Sequence, residues 1–157
     1  MYTFRLERVL RHRSRIVDEC SRKVAVAQAQ VSQAKQALQA AQDELDVSLE
    51  AGARQRQVLI DPGTMRRQMN WHEELQTRIH VLRPDVSRAQ GLLDEAQQEL
   101  QTAWQNREIL ERLKERQYQE WLQEQARAEQ RALDEVGAIR SALEAQEEFS
   151  GTPVKMA

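Results

Sequence analysis

Leu10, Val17, Val24, Val31, Leu38 and Leu45 recur at intervals of seven residues without a miss. Seven residues are two turns of a slightly under-wound α-helix, so the spacing lays one apolar stripe along one face. With these at position a of a heptad, position d holds Leu6, Arg13, Cys20, Ala27, Ala34, Ala41 and Ser48. Large residues line one flank of the seam and mostly small ones the other. Small residues let a second helix approach closely, which predicts an antiparallel partner of complementary sizes. The first helix is expected from about Phe4 to Leu59.

The breaker "DPGT" occupies Asp61–Thr64. Pro-Gly ends a helix, and Thr64 is expected to cap the next through its hydroxyl. A second stripe reads Leu75, Ile79, Leu82, Val86, Ala89, Leu93, Ala96, Leu100 and Ala103. Pro84 lies inside it, where a proline kinks or ends a helix. The stripe keeps its phase across Pro84, which favours a kink; the alternative is a break with a new helix starting at Pro84. Beyond Ala103 the seam turns polar, with Arg107, Lys114 and Gln117 at seam positions. Leu110 and Leu113 still offer apolar surface. A further stripe runs through Leu133, Val136, Ile139 and Leu143. The helix is expected to run from residue 65 to about 149, and residues 150–157 read as a disordered tail.

These patterns predict an all-α fold: a single-domain, long two-helix antiparallel coiled-coil hairpin whose second helix overhangs the first. Folding at residues 61–63 pairs positions whose numbers sum to roughly 124, which brings Leu10 near Lys114 and Phe4 near Glu120. The residues after Trp121 then have no partner. They number about 25, or ~40 Å of helix. Such a helix is marginal alone in water, and its stripe is a candidate binding face.

Composition agrees. Aromatics are 4% and charged residues 31%, a balance suited to coiled coil rather than a globular core. A net charge of -2 argues against a nucleic-acid binder. The single Cys20 forms no intramolecular disulfide and, at a d position, reads as a small buried thiol. The absence of an apolar run of membrane-spanning length argues against direct membrane insertion. The protein reads as soluble and cytoplasmic.

The residues suggest no catalytic, cofactor or metal site. The glycines are scattered, and His12, His72 and His80 lack ligand spacing and read as exposed. Two helices alone offer no water-excluding pocket, so the chain is not expected to be an enzyme. Trp104 is expected to pack in the seam; for Trp71 and Trp121 packing and partner contact are both open. Residues 5–23 are basic, seven Arg or Lys against Glu7, Asp18 and Glu19, whereas Asp43, Glu44, Asp46 and Glu50 near the turn are acidic. That pattern suits a solvated surface or a basic end steered toward an acidic partner.

The N-terminal "FRLERVLRHRSRIVDECSRKV", "LERLKERQ" at Leu110–Gln117 and "RAEQRALDE" at Arg127–Glu135 resemble the flagellar export protein FliJ family. The resemblance implies an antiparallel coiled coil like the stalk subunit of rotary ATP synthases. The terminal end would insert into the hexameric export ATPase and promote its assembly. The hairpin end would reach toward the export gate membrane protein, with export chaperones as further partners. Carried over by position, the ATPase-facing candidates are Leu6, Val9, Leu10, Arg13, Leu113, Arg116, Arg127, Gln130, Leu133 and Asp134, with Trp121 at the start of the overhang. The gate-facing candidates are Leu45, Leu49, Trp71 and Leu75. Such a protein would lie peripheral to the membrane at the export apparatus. Two rival readings are the equivalent stalk of a virulence-type secretion ATPase and a homodimeric coiled-coil scaffold or chaperone.

Overall fold

The computed structural model describes residues 1–56, 58 and 61–150, the side chains of 148–150 excepted. The expected tail, from Gly151 onward, lies outside the described residues. The fold is all-α: α1 spans Glu7–Gln55 and α2 spans Pro62–Ser150, 49 and 89 residues long. Two compact units divide the chain. One is Val9–Glu108, here the hairpin unit. The other joins Met1–Arg8 with Ile109–Ala157, here the terminal unit.

In the hairpin unit α1 and α2 run antiparallel along one seam. Val17 and Cys20 pack on Ala103, with Ile16 and Leu100 alongside. Ala27 and Val31 pack on Leu93, with Val24, Ala89 and Ala96 around them. Each cluster mixes branched residues with small ones, the complementarity that lets helices approach closely. Cross-links fix the register. The Lys23 ammonium lies 3.2 Å from the Glu99 carboxylate, Arg78 is 4.0 Å from Glu44, and His72 Nε2 is 2.8 Å from Ser48 Oγ. These pairs sum to slightly less than the expected 124, so the hairpin folds slightly earlier than residues 61–63: α1 ends at Gln55 rather than Leu59, and α2 starts at Pro62 rather than residue 65. Gly52 is buried against Gln68: a Cβ there would stand 2.6 Å from its Nε2.

The start of α2 corrects the predicted cap. Pro62 takes the first helical position, where its missing N–H costs nothing and its φ suits the helix. Asp61 is the cap: its carboxylate accepts the Thr64 N–H at 3.3 Å. The Thr64 hydroxyl instead accepts a bond from Arg67 at 3.0 Å. α2 continues through Pro84 without a break.

The terminal unit begins with Met1–Leu6 outside any helix, so α1 starts three residues later than the heptads predict. The Glu7 N–H closes a turn onto the Phe4 carbonyl at 3.2 Å. Phe4, rather than Leu6, is the buried residue here. Phe4, expected beside Glu120, lies instead beside Lys114, whose ammonium is 6.0 Å from the ring centre and 2.8 Å from the Glu7 carboxylate. The Tyr2 hydroxyl donates to the Lys114 carbonyl at 3.2 Å. Tyr2 meets Tyr118 edge-on at 5.3 Å between ring centres and Trp121 at 6.0 Å. The Lys114 ammonium at a seam position thus has an anion and a ring face as partners within this unit.

Candidate partner interface

Past Trp121 the described residues of the terminal unit belong to α2 alone, and every residue from 122 to 147 is exposed. Leu133, Val136, Ile139 and Leu143 share one side of that helix, because three- and four-residue steps return close to the same angle. Each is more than half exposed. The strip therefore presents four branched side chains to water over about three turns. No other described residue of the terminal unit covers it.

Its flanks are polar and locally tied. The Gln130 amide donates to the Asp134 carboxylate at 2.8 Å, and the Arg131 guanidinium donates to the Arg127 carbonyl at 3.3 Å. Arg140 lies 3.5 Å from Glu144. These pairs are one turn apart on exposed surface and are worth a few tenths of a kcal/mol each, so a partner can displace them at small cost.

The candidates carried by resemblance fall in both units. In the terminal unit Arg116, Arg127, Gln130, Leu133 and Asp134 are exposed, Leu6 is exposed on the N-terminal segment, and Leu113 is half-buried. Trp121 is half-buried in the aromatic cluster, 6.1 Å from the Tyr118 ring. In the hairpin unit Val9 is exposed, Arg13 is half-buried and Leu10 is buried in the seam, so Leu10 holds the fold and offers no face to a partner. Of the four hairpin-end candidates, Leu49 and Trp71 are exposed and Leu45 is half-buried. Leu75 is 1% exposed, a seam residue that no partner reaches without opening the helices.

Two further expectations are corrected. Trp104 stands outside the seam, more than half exposed, with the Arg107 guanidinium 5.4 Å over its ring. Ala103 fills the seam position against Cys20, and the next residue is turned about 100° away, where an indole has room. His72 is half-buried on Ser48 rather than exposed. Cys20 is a buried thiol as expected. Among the described residues no group of three His, Cys, Asp or Glu can hold a metal ion, and no helix is long and apolar enough to cross a membrane.

The residues that sequence reasoning passes over are Met65, Met69, Arg66 and Arg67, at the start of α2. Their signal is visible in the sequence: two methionines four apart and an arginine pair, directly after a helix breaker.

The fold is that of a two-helix coiled-coil protein that carries, in its terminal unit, an exposed apolar strip. The profile of a family described as Flagellar FliJ protein matches residues 2–146, and the chain belongs to this family. It is accordingly a component of flagellar protein export, with a stalk role in general terms. Searches of curated proteins and of solved structures returned no match.

Proposed function

We propose that this protein is the central stalk of the hexameric flagellar export ATPase, acting in the cytoplasm at the export apparatus. Its terminal unit enters the ring and promotes ring assembly. Its hairpin end works toward the export gate, and export chaperones are further partners. The observation that carries the reading is the bare strip Leu133, Val136, Ile139 and Leu143, on a helix with no partner of its own in a chain of this family. An apolar stripe of this kind is stabilised by burial, and a ring of repeated subunits supplies walls on all sides of a single helix.

The strip also weighs against the scaffold reading. It covers about three turns, short of the three to four heptads that sustain a coiled coil on their own. A self-dimer through so small a face would be weak. Mechanically, buried residues recur along the hairpin unit, in clusters around Ala103 and Leu93 and again at Ala41, Ile79 and Leu75, which supports a rod that carries a push or twist with little give.

The test mixes the full chain with the export ATPase and reads hexamer formation and ATP turnover. The stalk reading expects both to rise, and the double substitution Leu133→Asp and Ile139→Asp to abolish the rise while leaving helix content unchanged. No rise with the unsubstituted chain would contradict it. A concentration-dependent dimer in sedimentation, abolished by the same substitutions, would favour the scaffold instead. Stimulation of a virulence-type secretion ATPase but not the flagellar one would move the stalk to that organelle.

A further inference from the structure

The face that carries the bare strip begins well before Leu133. Val136 lies 18 residues beyond Tyr118, and Ile139 lies 18 beyond Trp121. That interval is about five whole turns, so these side chains stand on one line along α2. Gln125, Ala128 and Ala132 continue the line between them, and none of the three is charged. Lys114 starts it, about eight turns before Leu143. The first two turns of the line are occupied by the chain itself. Tyr2 packs on Tyr118 and Trp121, and its hydroxyl donates to the Lys114 carbonyl. Phe4, 6% exposed, lies under the Lys114 ammonium, which Glu7 meets at 2.8 Å. This segment therefore supplies rings for the aromatic turns and a carboxylate for the one charge at the start of the line. No helix or strand holds Met1–Leu6 in place. Side-chain contacts tie it down, together with one turn from Glu7 to Phe4. The Lys114 and Glu7 side chains are 40% and 42% exposed, so water screens their attraction. A segment held in this way opens locally long before the helix beneath it unfolds.

We propose that Met1–Leu6 is a displaceable strap: the partner face of α2 runs from Lys114 to Leu143, and the occupant of the strip evicts the strap from its first two turns. The proposal rests on the stalk reading, with the export ATPase as the occupant. Its incoming surface is apolar, and carries an acidic side chain that takes over Lys114 from Glu7. With the strap seated, the bare part of the face stays about three turns long, too short for the free chain to pair firmly with itself. With the strap displaced, the whole line is open to the partner. The strap therefore lowers the apparent affinity by the fraction of chains in which it is seated.

The experiment titrates the export ATPase with the full chain and with its double variant Tyr2→Ala and Phe4→Ala. Both substitutions precede α1, so the helices stay as they are, which circular dichroism verifies. Eviction predicts that the double variant binds about ten-fold tighter, because the partner no longer has to displace two packed rings. A segment that instead helped to grip the ring would give weaker binding on the same substitutions. A second reading uses the unsubstituted chain. Trypsin cleavage after the exposed Arg5, followed by mass spectrometry, should speed up when the ATPase is added. Equal or weaker binding of the double variant overturns the strap and leaves the stalk reading intact. Cleavage after Arg5 that the ATPase slows or leaves unchanged does the same. No binding of the ATPase by either chain overturns both.

Discussion

Leu75 and Leu133 carry the same side chain on the same helix, one 1% exposed and the other 66%. Both belong to stripes spaced by threes and fours. In the hairpin unit the stripe on α2 meets the large and small residues of α1 and becomes a core. In the terminal unit, past Trp121, the same kind of stripe meets nothing. Periodicity therefore shows that a face is built to be covered, and the supply of partner helix decides whether this chain covers it.

The largest effect that can break this comparison is truncation of the two leucines. Leu75→Ala should destabilise the protein by about 2–5 kcal/mol, because it leaves a cavity in a closed seam. Leu133→Ala in the free protein should stay within about 0.5 kcal/mol, because it removes surface already in water. Urea denaturation followed by circular dichroism reads both. Equal losses would mean the strip is covered after all.

Next in size are changes to the fit of the seam. Ala41 is 2% exposed, and Ala41→Leu forces a large side chain where the helices approach closely, at about 1–3 kcal/mol. Pro84→Ala should act in the opposite direction. It restores the N–H bond to the His80 carbonyl and removes the ring clash there, for a gain of up to about 3 kcal/mol. Thermal melts give the sign of each.

Smaller still is Lys114→Gln, which removes the ammonium from Phe4 and Glu7. Exposed pairs and cation–π contacts of this kind contribute about 1 kcal/mol together. The expected result is several-fold faster proteolysis within the first eight residues and a changed Trp121 emission, with the hairpin unit's melt unaltered.

The smallest effect is the Lys23–Glu99 bridge. The hydrogen bond and charge of Glu99 raise the Lys23 pKa above 10.5. A raised lysine contributes fully below its unfolded value and loses that contribution as pH climbs through the folded one. The melts of the protein and of Lys23→Gln should therefore differ slightly at neutral pH and converge at strongly alkaline pH. Both groups are exposed, so a large difference at neutral pH would contradict the description of the seam as apolar.

The seam is legible because its signal is repetitive. Leu10, Val17 and Val31 are buried, and Val24, Leu38 and Leu45 are half-buried, at the six heptad positions that define it. Local chemistry is less legible, because single contacts outvote periodicity at the ends. The sequence pattern continues α1 back to about Phe4, whereas Phe4 and Glu7 converging on Lys114 draw the first residues out of the helix. Thr64 is an acceptable cap by residue type, yet the helix begins earlier: Asp61 before Pro62 accepts the Thr64 N–H, with a proline pre-set for the first turn. Size assigns Trp104 to the seam, although seam phase belongs to Ala103. Of the candidate interface, the strip is readable from spacing alone. Resemblance names Leu75 and Leu10 as contacts, whereas their heptad phase already marks them for burial.

Amide hydrogen exchange of residues 129–147 tests the central claim most directly, in the free protein and with the export ATPase added. The account predicts rapid exchange in the free chain at every protein concentration, alongside strong protection at 75–103, and marked slowing at 129–147 once the ring is present. Protection of 129–147 in the free protein, or exchange unchanged by the ATPase, would contradict it.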